Sequence, residues 1–294
     1  MNHPDYNSPV ALKEFMEMKG MSMQKKFGQN FMVNPAARTS IVDELDPREN
    51  EKVWEIGPGL GCMTSEILER GADLTCFEID RGFISCLKDF FAGYSEKDRF
   101  RIIEGDCLKT WKKEIDALGD SDYSKLSIKL SGNLPYNIAA TFIADTIAAG
   151  LCFERCVFTV QKEVTDRICA APGSKNYSSF SVLCQWAYDV KGGIVLAPGN
   201  FWPMPNVSSQ SVIMTRKKEP YSCSDPALFV KIVHSLFLSR RKTIANNFKP
   251  VLNNNVTLDD VFSRTTISRT LRAEDLSVSD FIELTEICVS LGVK

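Results

Sequence analysis

Through the first two-thirds of the chain, short apolar runs alternate with stretches of helical period. KVWEI (Lys52–Ile56) is apolar, β-branched and aromatic, and predicts a buried strand. MTSEILERG predicts a helix stopping at Gly71, where glycine commonly closes a helix. DLTCFEI reads as the next strand, FISCLKDFF as a helix, FRIIEG as a third strand and LSIKLSG as a fourth. IAATFIADTIAAG then predicts a helix and CVFTVQKE a fifth strand. Strands alternating with helices imply an α/β fold, a parallel sheet covered on both faces. GGIVLA and SQSVIMTRK predict a closing strand pair.

The polar, proline-containing EPYSCSDP interrupts this pattern. Beyond it the apolar spacing is helical throughout, in ALFVKIVHSLFLS, TLDDVF and VSDFIELTEICVSLG. The expected organisation is an N-terminal arm over 1–24, an α/β domain over 25–218 and a small all-helical domain over 219–294. No internal repeat is visible. The arm, MNHPDYNSPVALKEFMEMKG, carries acids and has no apolar core, so it reads as a loose arm or one short helix, not a signal peptide.

Composition narrows the class. At 294 residues, 44% hydrophobic and 24% charged, the chain matches an ordinary globular protein. No apolar run reaches the ~18 residues of a membrane span. Ten cysteines lie scattered in apolar segments without a CxxC pair, which fits free thiols in a reducing cytoplasm and no metal site. His3 and His234 belong to no catalytic set. The net charge of −2 hides a local cluster. Lys231–Lys249 carries five basic residues and no acid, and Lys25-Lys26 form a second, shorter cluster.

The first strand runs into EIGPGLG, Glu55 to Gly61. Glycines there let a ligand lie against bare backbone. A diphosphate prefers positive potential at such a turn. Glu55 beside the glycines instead suits a cation, and S-adenosylmethionine carries a sulfonium and an ammonium group but no phosphate. Glu78 ends the second strand, where a carboxylate can take ribose hydroxyls, and Asp106 follows the third, placed for an adenine amino group. The three acids should surround one cleft.

The fourth strand ends in SGNLPYN, Ser131 to Asn137. An exocyclic adenine amine is a poor nucleophile because its lone pair is delocalised into the ring. Two acceptors for its hydrogens draw the nitrogen toward tetrahedral geometry. The Asn133 side-chain carbonyl and the Leu134 backbone carbonyl are suited to this. Pro135 stiffens the turn, and Tyr136 offers a face for stacking. An amide is no general base, so positioning and electrostatics carry the chemistry and solvent takes the proton.

NLPY after EIGPGLG resembles the adenine-N6 methyltransferases of ribosomal RNA. From Lys25 onward the chain is similar to the small-subunit dimethyladenosine transferases. KKFGQNFM, QKEVTDRICAAPGSKNYSSFSVLCQ, FWPMPNVSSQSV, FLSRRKTIANNF and LRAEDLS follow that family in order, with Met32, Trp202, Met204 and Ser208 departing from its commonest choices. The resemblance implies a Rossmann-like class I methyltransferase sheet with the helical domain appended. It implies S-adenosylmethionine contacts at Asn30, Met32, Gly57, Glu78, Asp106 and Asn133, and a catalytic set of Asn133, Leu134, Pro135, Tyr136 and Phe201. Phe201 would stack on the base opposite Tyr136. Arg240, Arg241, Lys242 and Lys249 would hold RNA backbone. The implied partner is the small ribosomal subunit and its RNA, met by a cytoplasmic monomer during ribosome biogenesis. The large-subunit adenine methyltransferases of macrolide resistance share the N-terminal motifs. Two further readings stay open at this point: a ribosome-assembly factor acting mainly by binding, and a DNA adenine methyltransferase.

Overall fold

The computed structural model describes residues 3–23, 29–119, 126–134, 136–220, 222–253 and 255–293, without the side chains of Tyr136 and Asn137. The arm forms helix α1 (Pro9–Met18), capped by Ser8 and burying Leu12 and Met16. A two-residue strand β1 (Phe31–Met32) precedes α2 (Pro35–Leu45), which starts at the Asn34 N-cap with proline in its first turn. The Rossmann-like repeat follows as β2 (Lys52–Ile56), α3 (Cys62–Glu69), β3 (Asp73–Glu78), α4 (Arg81–Phe90) and the short α5 (Ala92–Ser95). It continues with β4 (Phe100–Glu104), α6 (Cys107–Asp116), β5 (Ile128–Asn133), α7 (Tyr136–Ala148) and β6 (Arg155–Gln161). Next come α8 (Lys162–Ile168), α9 (Ser179–Ala187), β7 (Tyr188–Leu196), the two-residue β8 (Phe201–Trp202) and β9 (Ser209–Arg216). The remaining elements are α10 (Pro226–Leu236), α11 (Ile244–Phe248), α12 (Leu258–Phe262) and α13 (Val278–Ser290).

The main sheet has the order β4-β3-β2-β5-β6-β9-β7, parallel from β4 to β6, with β9 antiparallel to β6. Strand order reverses between β2 and β5. That is the switch point where open α/β sheets bind ligands beyond the carboxyl ends of their strands. The register sets Glu55 opposite Ser131 on one side and Cys76 on the other. It sets Asn133 opposite Thr159. A second, two-stranded ladder pairs β1 with β8, Met32 opposite Phe201 and Phe31 opposite Trp202. The predicted strands all form. Helices α2, α5, α6, α8, α9 and α11 are additional to the sequence reading, and the fifth strand ends at Gln161, just before α8.

The described chain falls into two compact units. The first comprises 1–142, 153–165 and 191–215. The second comprises 143–152, 166–190 and 216–294. In the first unit, the apolar faces of α1 to α4 build one core with the sheet, including Ile41, Val53, Ile67, Leu74 and Phe83. In the second, Trp186 stacks on Phe229 at 4.0 Å between centroids, and Phe237 stacks on Phe281. There Gly173 N–H donates to Glu274 O at 2.7 Å, so the PGSKNY and LRAEDLS motifs meet. The second unit thus joins 143–152 and 166–190 to the C-terminal stretch from Arg216, whose first helix is α10. Among the described residues no helix is long and apolar enough to cross a membrane.

Candidate active site

The turn after β2 is fixed from several sides. Gly57, Gly59 and Gly61 all have positive φ, which side chains with a Cβ rarely adopt. A Cβ on Gly61 would lie 2.7 Å from the Phe91 ring. Gly57 N–H donates to Phe77 O at 2.9 Å, and Gly59 N–H to Glu78 Oε2 at 3.1 Å. The other Glu78 oxygen accepts the N–H groups of Ile79 and Asp80, both at 2.8 Å. Glu78 therefore ties the glycine turn to the end of β3 and keeps lone-pair capacity on Oε2. Its burial raises its pKa.

Glu55 is buried beneath the same turn. Its Oε2 accepts the Thr64 hydroxyl at 2.6 Å and the Cys76 thiol at 3.6 Å. Loss of hydration pushes its carboxyl up to about 7, more than those two bonds pull it down. Asp106 is the N-cap of α6, with Oδ1 accepting Leu108 N–H at 3.0 Å. A capping role and a place in the cavity wall coexist there.

At the end of β5, Asn133 Nδ2 donates to Asn30 O at 2.8 Å. A carbonyl can only accept, so this bond fixes which way the carboxamide faces. Oδ1 is left as the acceptor of that side chain. One strand residue earlier, a Cβ on Gly132 would lie 2.9 Å from Ile56 O, so only glycine lets β5 approach β2 this closely.

These groups converge on a cavity of about 330 Å³. Asn30, Met32, Gly57, Glu78, Asp106, Asn133 and Leu134 all line it, with Glu55, Phe77 and Phe83. Among the described residues that line it, none is a lysine or arginine. Two buried carboxylates and bare glycine backbone suit a cationic nucleoside donor and disfavour a diphosphate. S-adenosylmethionine fits this donor set. Pro135 and the side chain of Tyr136 lie outside the described residues. Phe201 is 4% exposed, packed in the core beside Met32, and is not in the cavity wall.

In the second unit, Arg241, Lys242 and Lys249 are exposed. Arg240 is ion-paired with Glu274 at 2.7 Å and donates to Lys175 O at 2.9 Å. The Lys25-Lys26 cluster lies outside the described residues. Sequence reasoning passed over Thr64, Cys76 and Arg38. Thr64 and Cys76 gain meaning only from the register that places them beside Glu55. Arg38 is a lone cation in the buried stripe of α2 and likewise gains meaning only once that helix is placed.

Comparison with known proteins agrees with this geometry. The family model described as ribosomal RNA adenine dimethylase matches residues 20–289. "Ribosomal RNA small subunit methyltransferase A" of Treponema denticola is 44% identical over 290 residues, covering 98% of this chain and 97% of the relative. The protein of the same name from Borreliella burgdorferi is 37% identical, covering 95% and 94%. A dimethyladenosine transferase structure from Plasmodium falciparum superposes with a TM-score of 0.68 at 22% identity, covering 88% of this chain and 98% of that one. The 23S rRNA methyltransferase ErmE does so at 0.60 and 17%, covering 86% and 97%. At those identities the two structures speak for the fold, a class I methyltransferase sheet. From the family match and the near full-length relatives, the chain belongs to the ribosomal RNA adenine dimethylases, a family of S-adenosylmethionine-dependent enzymes.

Proposed function

We propose that this enzyme methylates N6 of two adjacent adenosines, twice each, in the loop of the 3′-terminal hairpin of small-subunit ribosomal RNA. The relatives named for the small subunit, similar over nearly the whole chain, support that target over the large subunit. Loop bases suit it because they can splay into a pocket.

When bound, S-adenosylmethionine supplies a methyl group on a sulfonium centre, an electrophile. Glu55 and Glu78 would provide the negative potential for its cationic end, and Glu78 Oε2 a hydroxyl acceptor for its ribose. Asp106 would accept from its adenine amino group. Asn30 and Met32 would shape the mouth of the cavity.

The substrate amine would donate one N6 hydrogen to Asn133 Oδ1 and the other to Leu134 O. Both bonds strengthen as N6 leaves conjugation with the ring, so they favour the transition state over the ground state. N6 gains the methyl group and loses one proton to water. In the second round the monomethylated amine presents its single remaining hydrogen to one of the same acceptors. Pro135 would stiffen the turn and Tyr136 would stack on the base. The opposite stacking face goes to Phe201, whose buried ring would have to be uncovered on RNA binding. Arg241, Lys242 and Lys249 would meet RNA phosphates, which position without specifying; Arg240 would join them only by leaving Glu274. The enzyme would act as a cytoplasmic monomer.

The observation that carries this reading is the Asn133 amide, whose nitrogen is anchored to Asn30 O and whose Oδ1 is left as an acceptor. Incubation with labelled donor and unmethylated small subunits, followed by nucleoside analysis, tests it. N6,N6-dimethyladenosine in the small-subunit RNA is the expected product. Label in large-subunit RNA or in free DNA contradicts it.

A further inference from the structure

The N-terminal arm bonds at two separate points to residues that adjoin the cavity lining, Leu60 next to Gly59 and Arg38 on Met32. At the first, the Tyr6 hydroxyl donates to Leu60 O at 2.8 Å, 54 residues away. Leu60 lies inside the glycine turn and is itself buried. The turn closes on itself through Gly61 N–H to Pro58 O at 2.9 Å, and the sheet holds it through Phe77 and Glu78. Tyr6 adds a grip from outside that frame. At the second point, buried Arg38 donates to Asn7 Oδ1 at 2.6 Å, to Met32 O at 2.9 Å and to Glu66 at 3.3 Å. One guanidinium thus joins the arm, the cavity wall and the helix that leaves the glycine turn. The arm is itself anchored. His3 stacks on Tyr6 at 4.5 Å and 7°, while Leu12 and Met16 are buried.

We infer that the arm belongs to the donor-binding machinery, with Tyr6 as a positioning residue that sets the glycine turn. This rests on the cavity being the S-adenosylmethionine site. Without the Tyr6 hydroxyl, a buried carbonyl loses a partner and the turn relaxes toward geometries that no longer match the donor. Positioning of this kind is paid back on donor binding, and leaves the acceptors at Asn133 and Leu134 in place.

Tyr6→Phe keeps the ring, its stacking with His3 and its apolar contacts. Equilibrium binding should then show a Kd for S-adenosylmethionine weakened about three- to tenfold, the loss of one hydrogen bond. The KM for the donor should rise in parallel, while kcat at saturating donor and the KM for small subunits stay within about twofold of wild type. Asn7→Ala, which removes the Arg38 tie from the arm's side, should weaken donor binding in the same sense. Coupling is reciprocal, so donor added to the wild-type protein should slow amide exchange across Pro9–Met18. Variants that melt earlier yet bind donor like wild type would reduce the arm to a structural brace and overturn the inference. So would arm exchange that ignores the donor. A wild-type protein that fails to bind the donor contradicts the methyltransferase reading instead.

Discussion

The carboxyl group of Glu55 sits out of water between β2 and α3, and its pKa rises from the usual 4.5 to about 7. A carboxyl raised on folding binds more protons folded than unfolded between those values. Stability of the donor-free protein should therefore be greatest below about pH 4.5 as far as this group is concerned, and fall as pH rises to about 7. The full effect is on the order of 3 kcal/mol, from the shift alone. Glu55→Gln should accordingly stabilise the donor-free enzyme at pH 8 and do little near pH 4, read by chemical denaturation at both. A cationic donor favours the ionised carboxylate, so its affinity should rise with pH between about 6 and 8. Glu55→Gln should flatten that rise and weaken binding at pH 8. Titration calorimetry across that range checks both, and a pH-independent wild-type affinity would remove Glu55 from the donor's field. Glu55, Glu78, Asp106 and Asn133 were legible at this scale because each stands at a strand end, where the topology itself specifies the cleft. Phe201 was less legible: the run FWPMP identifies the residue but does not reveal that its ring is buried beside Met32.

At the scale of elements, the buried strands announce themselves through β-branched and aromatic runs, and β2 to β6 fall close to where KVWEI and its successors place them. Helix α2 is concealed by Arg38, a cation within its buried stripe. Helix α6 exposes lysines around a narrow seam of Cys107, Trp111 and Ile115. The β1–β8 ladder pairs only two residues from each strand, far apart in sequence, and no local period betrays it. Close packing at the switch point is likewise invisible in a one-dimensional pattern. Gly132→Ala puts a methyl group 2.9 Å from the Ile56 carbonyl, a backbone atom that cannot rotate away. The strands must separate there. A loss of about 1–3 kcal/mol is expected, with weaker donor binding because β5 carries Asn133. Denaturant unfolding and donor titration of this variant measure both effects, and wild-type values in both would mean β2 and β5 tolerate the added carbon.

On the scale of the whole molecule, a net charge of −2 gives no long-range attraction to RNA, so binding depends on where the cations lie. Exposed Arg241, Lys242 and Lys249 differ from Arg240, whose guanidinium is held by Glu274 and the Lys175 carbonyl. Replacing the first three together should lower the slope of log affinity against log salt for small subunits by about 2 to 3. Arg240→Ala should change that slope by less than about 1. Affinities measured over a salt series decide this, and an unaltered slope in the triple variant would take those residues off the RNA. The helical C-terminal run was legible, since EPYSCSDP directly precedes α10. That PGSKNY and the α9 region join it depends on long-range contacts such as Gly173 to Glu274. The most direct measurement is the single-turnover rate of methyl transfer to unmethylated small subunits, at saturating donor, for wild type and Asn133→Ala. A rate lowered a hundredfold or more, on the order expected for one lost transition-state hydrogen bond, with donor affinity changed far less, is the predicted result. A near-wild-type rate would contradict the role of the Asn133 carboxamide as acceptor for N6.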